Sequence, residues 1–165
     1  MFGQLKDAGD EGRRRALADD VTIELVRHSV AEEMFLYPAT REHVPDGEEI
    51  ADKEISEHVQ VEKTLKQLER ADAGSEEFSR LLTELMTDVR EHVAHEENTL
   101  FPALADHAGR DELLELGQKV EAAKRTAPTR PHPSAPDTPP LNKLLAPGAG
   151  LVDRVRDHLS GRGTG

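Results

Sequence analysis

Two stretches of the chain are copies of one pattern: HSVAEEMFLYPA from His28 to Ala39 and HVAHEENTLFPA from His92 to Ala103, in register over sixty-four residues with no gap. His, Glu, Glu, Leu, Pro and Ala coincide, and an aromatic residue, Tyr37 or Phe101, precedes each proline. Between the copies, His58 and Glu62 repeat the centre of the pattern, so H-x-x-x-E occurs three times. In an α-helix, positions i and i+4 lie one turn apart on nearly the same face, where both side chains reach one point.

The periodicity around each unit is helical. Leu17, Val21 and Leu25 recur four residues apart, with Phe35 beyond, across a predicted helix from Arg13 to Leu36, which Pro38 stops. Ile50, Ile55, Val61, Leu65 and Leu68 mark a second helix ending before Ala73 and Gly74. Ser75 opens a third, carrying Leu81, Leu85, Val89, Val93 and Leu100 as far as Pro102. A shorter helix spans roughly Asp111 to Lys124, and residues 1–8 read as the last turns of a further one. Most of the chain's ten prolines fall in residues 126–149, a composition that predicts an extended segment without a core. Beyond it, Leu151 to Leu159 has the length of a short terminal helix. The expected domains are a helical bundle over 1–125 and a Pro-rich tail over 126–165.

All three His and Glu pairs interrupt apolar stripes. A carboxylate on a buried face is disfavoured unless it is paired or bound to a cation, and three in one small core repel one another. A single such pair on a helix surface is usually a solvated contact; three on core stripes point to metal. The chain has no cysteine, so thiolate zinc sites and iron–sulfur clusters are excluded and the ligands are imidazole and carboxylate. That donor set suits iron or manganese and leaves zinc chemically open. Ferritin-like di-iron bundles use Glu-x-x-His, whereas here His comes first and the spacing is four. Glu33 and Glu97 fall about 140° from the histidines, as surface groups or supports to the ligands, and His95 lies off the face. His43, His107 and His132 lie near turns or prolines and read as exposed.

A formal net charge of -12 disfavours nucleic acid and anionic membrane surfaces as partners. No apolar run is long enough to span a bilayer, and the N-terminal residues lack the pattern of a signal peptide, which makes a cytoplasmic protein the expectation.

The repeated H-x-x-x-E with its downstream Leu, aromatic and Pro resembles the hemerythrin-like family with HHE cation-binding domains, of the actinobacterial type, over roughly residues 1–105. The resemblance implies an all-α, up-down four-helix bundle around a di-iron centre. His28 and His92 would be terminal ligands, Glu32 and Glu96 the bridging carboxylates, and His58, with Glu62, the ligands of the third family helix. Family members carry a further histidine on a first helix well before the position of His28, and this chain has none among its first twenty-seven residues. The implied bundle therefore has a truncated first helix, whose place would be taken by a second copy of the chain in a homodimer or by the C-terminal segment with His158. The implied function is binding or reducing small oxygen or nitrogen species: reversible O2 binding, peroxide decomposition or nitric oxide response. The alternatives are a metal-responsive interaction module and a metal-free helical one.

Overall fold

In the computed structural model, which describes residues 2–163, every regular element is helical. Helix α1 spans Phe2–Asp7, α2 Glu11–Ala31, α3 Tyr37–His43, α4 Gly47–Leu68, α5 Glu76–His95, α6 Phe101–His107, α7 Arg110–Lys124 and α8 Leu141–Ser160. Local signals account for the starts. The Asp10 carboxylate accepts the Arg13 N–H at 2.8 Å, and the Ser75 hydroxyl accepts that of Phe78 at 3.1 Å, each satisfying a first-turn donor. Asp46 turns the chain into α4 at a φ of 57°, and a Cβ on Gly47 would meet the Thr40 carbonyl oxygen at 2.1 Å, so this tight return requires glycine.

The two copies of the sequence repeat share one backbone feature. Helix α2 continues into α3 through a π-helical turn, Glu32–Leu36, and α5 into α6 through another, Glu96–Leu100. Pro38 and Pro102 were expected to end these helices, since each lacks an N–H and its ring crowds the carbonyl four residues back. Instead the turn widens. The N–H of Tyr37 reaches the Glu32 carbonyl and that of Phe101 the Glu96 carbonyl, five residues back, and the prolines begin the continuation.

Helix α4 packs on α5 and α3, and α7 packs on α2 and the first π turn. Two principal apolar clusters result, beside a smaller third of Ala31, Met34, Ala123 and Ala146. One joins Leu5, Val21, Val26, Leu65, Phe78 and Leu85; the other joins Leu36, Tyr37, Ala51, Leu100 and Leu104, with Leu113 and Leu116 of α7 against it. On α2, α4 and α5 alike, the chain between the clusters carries the His and Glu units, so the polar layer lies across the middle of an apolar interior.

The C-terminal region differs from expectation. Residues 126–140 carry no regular element, but α8 begins at Leu141 and runs through Pro147, Gly148 and Gly150, where an extended chain was expected. An interior proline costs about 3 kcal/mol in helix propensity; here contacts on the inner face of α8 offset it. Asp153 accepts the N–H groups of Thr129 and Arg130, both at 3.2 Å, and that of His132 Nε2 at 2.9 Å. Asp157 pairs with Arg130 at 2.7 Å, and Arg162 lies 3.2 Å from both Asp19 and Glu69. Gly150 lets α8 close on the chain at Thr126 and Ala127, since a Cβ there would meet the Thr126 carbonyl oxygen at 2.2 Å.

Candidate metal centre

Five of the six expected ligands converge. Glu32, His58 and His92 form one group whose ligand atoms lie within 4.8 Å of one another; His28, Glu32 and Glu96 form a second, and Glu54, His92 and Glu96 a third. All are buried except His28, which is partly exposed. His28 Nε2 is 3.1 Å from Glu32 Oε1, as the i, i+4 spacing requires. Glu62 lies apart from these groups. It faces the His132 main chain and, with Glu33, lines a cavity between α2, α4 and the segment before α8.

In its place α4 supplies Glu54, fully buried one turn before His58. The unit on α4 thus runs E-x-x-x-H, reversed relative to the other two. The signal was available, because Glu54 shares the face of His58 four residues on. Its order, Glu then His, is the reverse of the repeat's, so the repeat itself does not reveal it. His95, expected at the surface, is half buried and hydrogen-bonds through Nδ1 to Glu54. Glu33 and Glu97, equivalent in the repeat, part company: Glu97 is exposed, while Glu33 is buried and accepts His58 Nδ1–H at 3.1 Å. Outside the centre, His43 pairs with Glu112 and His132 with Asp153, and His107 bonds through Nδ1 to the Ala103 carbonyl. His158 is exposed on α8.

The outer nitrogens of both central imidazoles are held. His58 Nδ1 donates to Glu33, and His92 Nδ1 donates to Glu57 at 3.1 Å with Glu54 at 2.7 Å beside it. This assigns the ring protons outward and turns both Nε2 atoms inward, 3.2 Å apart. Two lone pairs at that distance repel unless a proton or a cation lies near them. The Tyr37 hydroxyl, fully buried, is 3.0 Å from His58 Nε2.

The carboxylates show the same demand. Glu32 Oε2 and Glu96 Oε1 are buried without a hydrogen-bond partner, and the nearest imidazole nitrogens are 3.6 and 3.7 Å away. Burial, reinforced by the Glu96 charge, holds the Glu32 carboxyl well above its usual range, and burial raises Glu96 to about 7 although His92 opposes it. Burial pushes His58 well down and His28 down to about 4, with the Lys124 charge adding to the latter. His92 alone of the three is raised: burial opposes this, but the hydrogen bond to Glu54 and the Glu96 charge prevail. A site whose burial keeps His28 and His58 neutral and makes ionised Glu32 and Glu96 costly is one that a cation stabilises.

The fold and this donor set define a helical metal-binding bundle, and residues 1–104 match the hemerythrin HHE cation-binding domain model. The chain belongs to the hemerythrin-like family. It is 32% identical over 159 residues to an uncharacterized hemerythrin-like protein of Schizosaccharomyces pombe, covering 96% of this chain and 78% of that one. It is 25% identical over 124 residues to a DNA nickase of Nostoc, covering 75% of this chain and 35% of that protein. No solved structure matches.

Proposed function

We propose that the protein holds a pair of iron ions between α2, α4 and α5 and uses them to bind or reduce small oxygen or nitrogen species. The observation that carries this reading is the convergence of Glu32, Glu54, Glu96, His28, His58 and His92, with the buried Glu32 and Glu96 oxygens that lack a hydrogen-bond partner, in a layer closed by apolar clusters on both sides. His28, His58 and His92 would serve as nitrogen ligands, and Glu32 and Glu96, which approach from facing helices, as the carboxylates shared between two ions. Glu54 is a further oxygen donor. Hard carboxylate and borderline imidazole donors without thiolate suit iron. Iron so held supplies reversible electron exchange with a diatomic gas or peroxide.

The chain's own contribution is orientation and exclusion. Glu33 and Glu57 fix the rings of His58 and His92, so the inward nitrogens are set before any ion arrives. The apolar clusters keep bulk water from the centre and strengthen each electrostatic contact there. Elemental analysis of protein from iron-supplemented culture, with visible spectra recorded before and after exposure to oxygen, peroxide and nitric oxide, tests the proposal. Iron retained in stoichiometric amount with a spectrum that answers to one of the three supports it; protein without iron, or with iron whose spectrum none of them alters, overturns it.

A further inference from the structure

Helix α8 is amphipathic the wrong way round for a monomer. Asn142, Ala146, Gly150, Asp153 and Asp157 face the bundle, while Leu141, Leu144, Leu145, Leu151, Val152 and Val155 form the outward stripe, extended by Leu159. These seven aliphatic residues are 53% to 81% exposed. The helix cannot roll to bury them, because its inner face is tied by the Asp153, Asp157 and Arg162 contacts. The stripe presents on the order of 700 Å², beyond the ~300–600 Å² of the largest patch on a typical monomer and close to the ~800 Å² per partner of a standard interface.

We infer that this face is a two-fold interface, with α8 of a second copy of the chain as its occupant, packed antiparallel about Gly148. The spacing itself is the argument. Measured from Gly148, the apolar residues fall at three, four and seven positions on either side, so the stripe reads the same in both directions. An antiparallel pair centred there sets Leu141 against Val155, Leu144 against Val152 and Leu145 against Leu151, and the reciprocal contacts follow from the symmetry. A Cβ built on Gly148 meets nothing within 4 Å in the monomer, so the absence of a side chain there answers no need of the chain's own fold. At the crossing point of two helices it lets the backbones approach.

Charge agrees. The two acids of α8 are buried on its inner face, so no carboxylate of the helix borders the seam, although the chain as a whole carries a charge of -12. Arg156 is exposed at the edge of the stripe, and the pairing brings it opposite Pro140 of the second copy, three residues along the chain from that copy's Asp137.

The chain has no cysteine, which makes the register directly testable. Light scattering of the full chain at tens of micromolar should give twice the 18.2 kDa monomer mass, and Leu144→Asp or Leu151→Asp should each return it to 18.2 kDa with helix content unchanged. Under mild oxidation Gly148→Cys should cross-link to itself. Leu141→Cys should not, its two copies lying about 20 Å apart along the pair, whereas a mixture of Leu141→Cys with Val155→Cys should. A monomer at these concentrations overturns the inference, as does a dimer that survives Leu151→Asp. So does a chain that stays monomeric in solution yet sediments with lipid vesicles, which would make the stripe a membrane contact.

Discussion

Single residues decide what the centre can hold, and the two copies of the repeat are not equal in this. Glu33 and Glu97 occupy equivalent places in the repeat, yet only Glu33 meets an imidazole. Glu32→Ala and Glu96→Ala should therefore abolish metal retention, Glu97→Ala should leave it unchanged, and Glu33→Ala should weaken it by about 10- to 100-fold, the usual cost of losing a group that orients a ligand. Metal content after dialysis against a weak chelator separates the three classes. Burial also fixes a pH dependence. Glu96 in the folded protein ionises at about 7 against an ordinary 4.5, so its contribution to the stability of the metal-free protein is full below 4.5 and is lost as pH rises through 7. His28 acts in the opposite sense: lowered from 6.5 to about 4, it stabilises above 6.5 and is lost toward 4. Glu96→Gln isolates the first effect. It should raise the Tm of the metal-free protein at pH 8, by on the order of 5 °C, and leave it nearly unchanged at pH 4, as measured by thermal melts at the two pH values.

At the scale of elements, the helices around the centre were legible because each carries its own signal. Ser75 caps α5 as its position before an apolar-periodic run suggests, and α7 begins within a residue of the expected place. What the sequence conceals is whatever depends on contacts far along the chain. Pro38 and Pro102 read as stops because nothing local shows that the preceding turn will widen, and residues 141–149 read as extended because Pro147 and the glycines outweigh a polar face whose acids, Asp153 and Asp157, find their partners Thr129 and Arg130 more than twenty residues back. The long-range network that holds α8 should be separable from the bundle's own stability. Asp157→Ala leaves Arg130 and Arg162 to share Glu69 and Asp19, and should cost about 2 to 3 kcal/mol of local stability. Hydrogen exchange should quicken in 141–160 first, with the amides of α4 and α5 keeping their protection.

For the whole molecule, the division of labour between residues 1–125 and the rest follows from where the apolar surface is buried. Among the described residues, neither principal cluster includes one beyond α7, and α8 contributes only Ala146 to the smaller third cluster. Removing residues 126–165 should therefore preserve the circular dichroism of a helical bundle and lower the Tm without abolishing cooperative melting. A truncated chain that unfolds without a transition would show that the C-terminal network is part of the core.

The paired π turns carry an implication for how such a chain changes over generations. Each turn holds one residue more than an α-helical path needs, so loss of a single codon between Glu32 and Tyr37, or between Glu96 and Phe101, would restore regular winding and leave the helices downstream nearly in phase. The regular stretches of α2 and α5 have no such slack: one codon lost there turns the ligands beyond it, and buried Leu36 or Leu100 with them, by about 100°. The same one-codon loss among residues 128–140, where no regular element sets a phase, changes only the slack of a connection. Insertions and deletions among descendants of this sequence should accordingly collect in that connection, be met next in the two five-residue turns, which hold a residue in reserve, and be purged from the regular helix on either side of them.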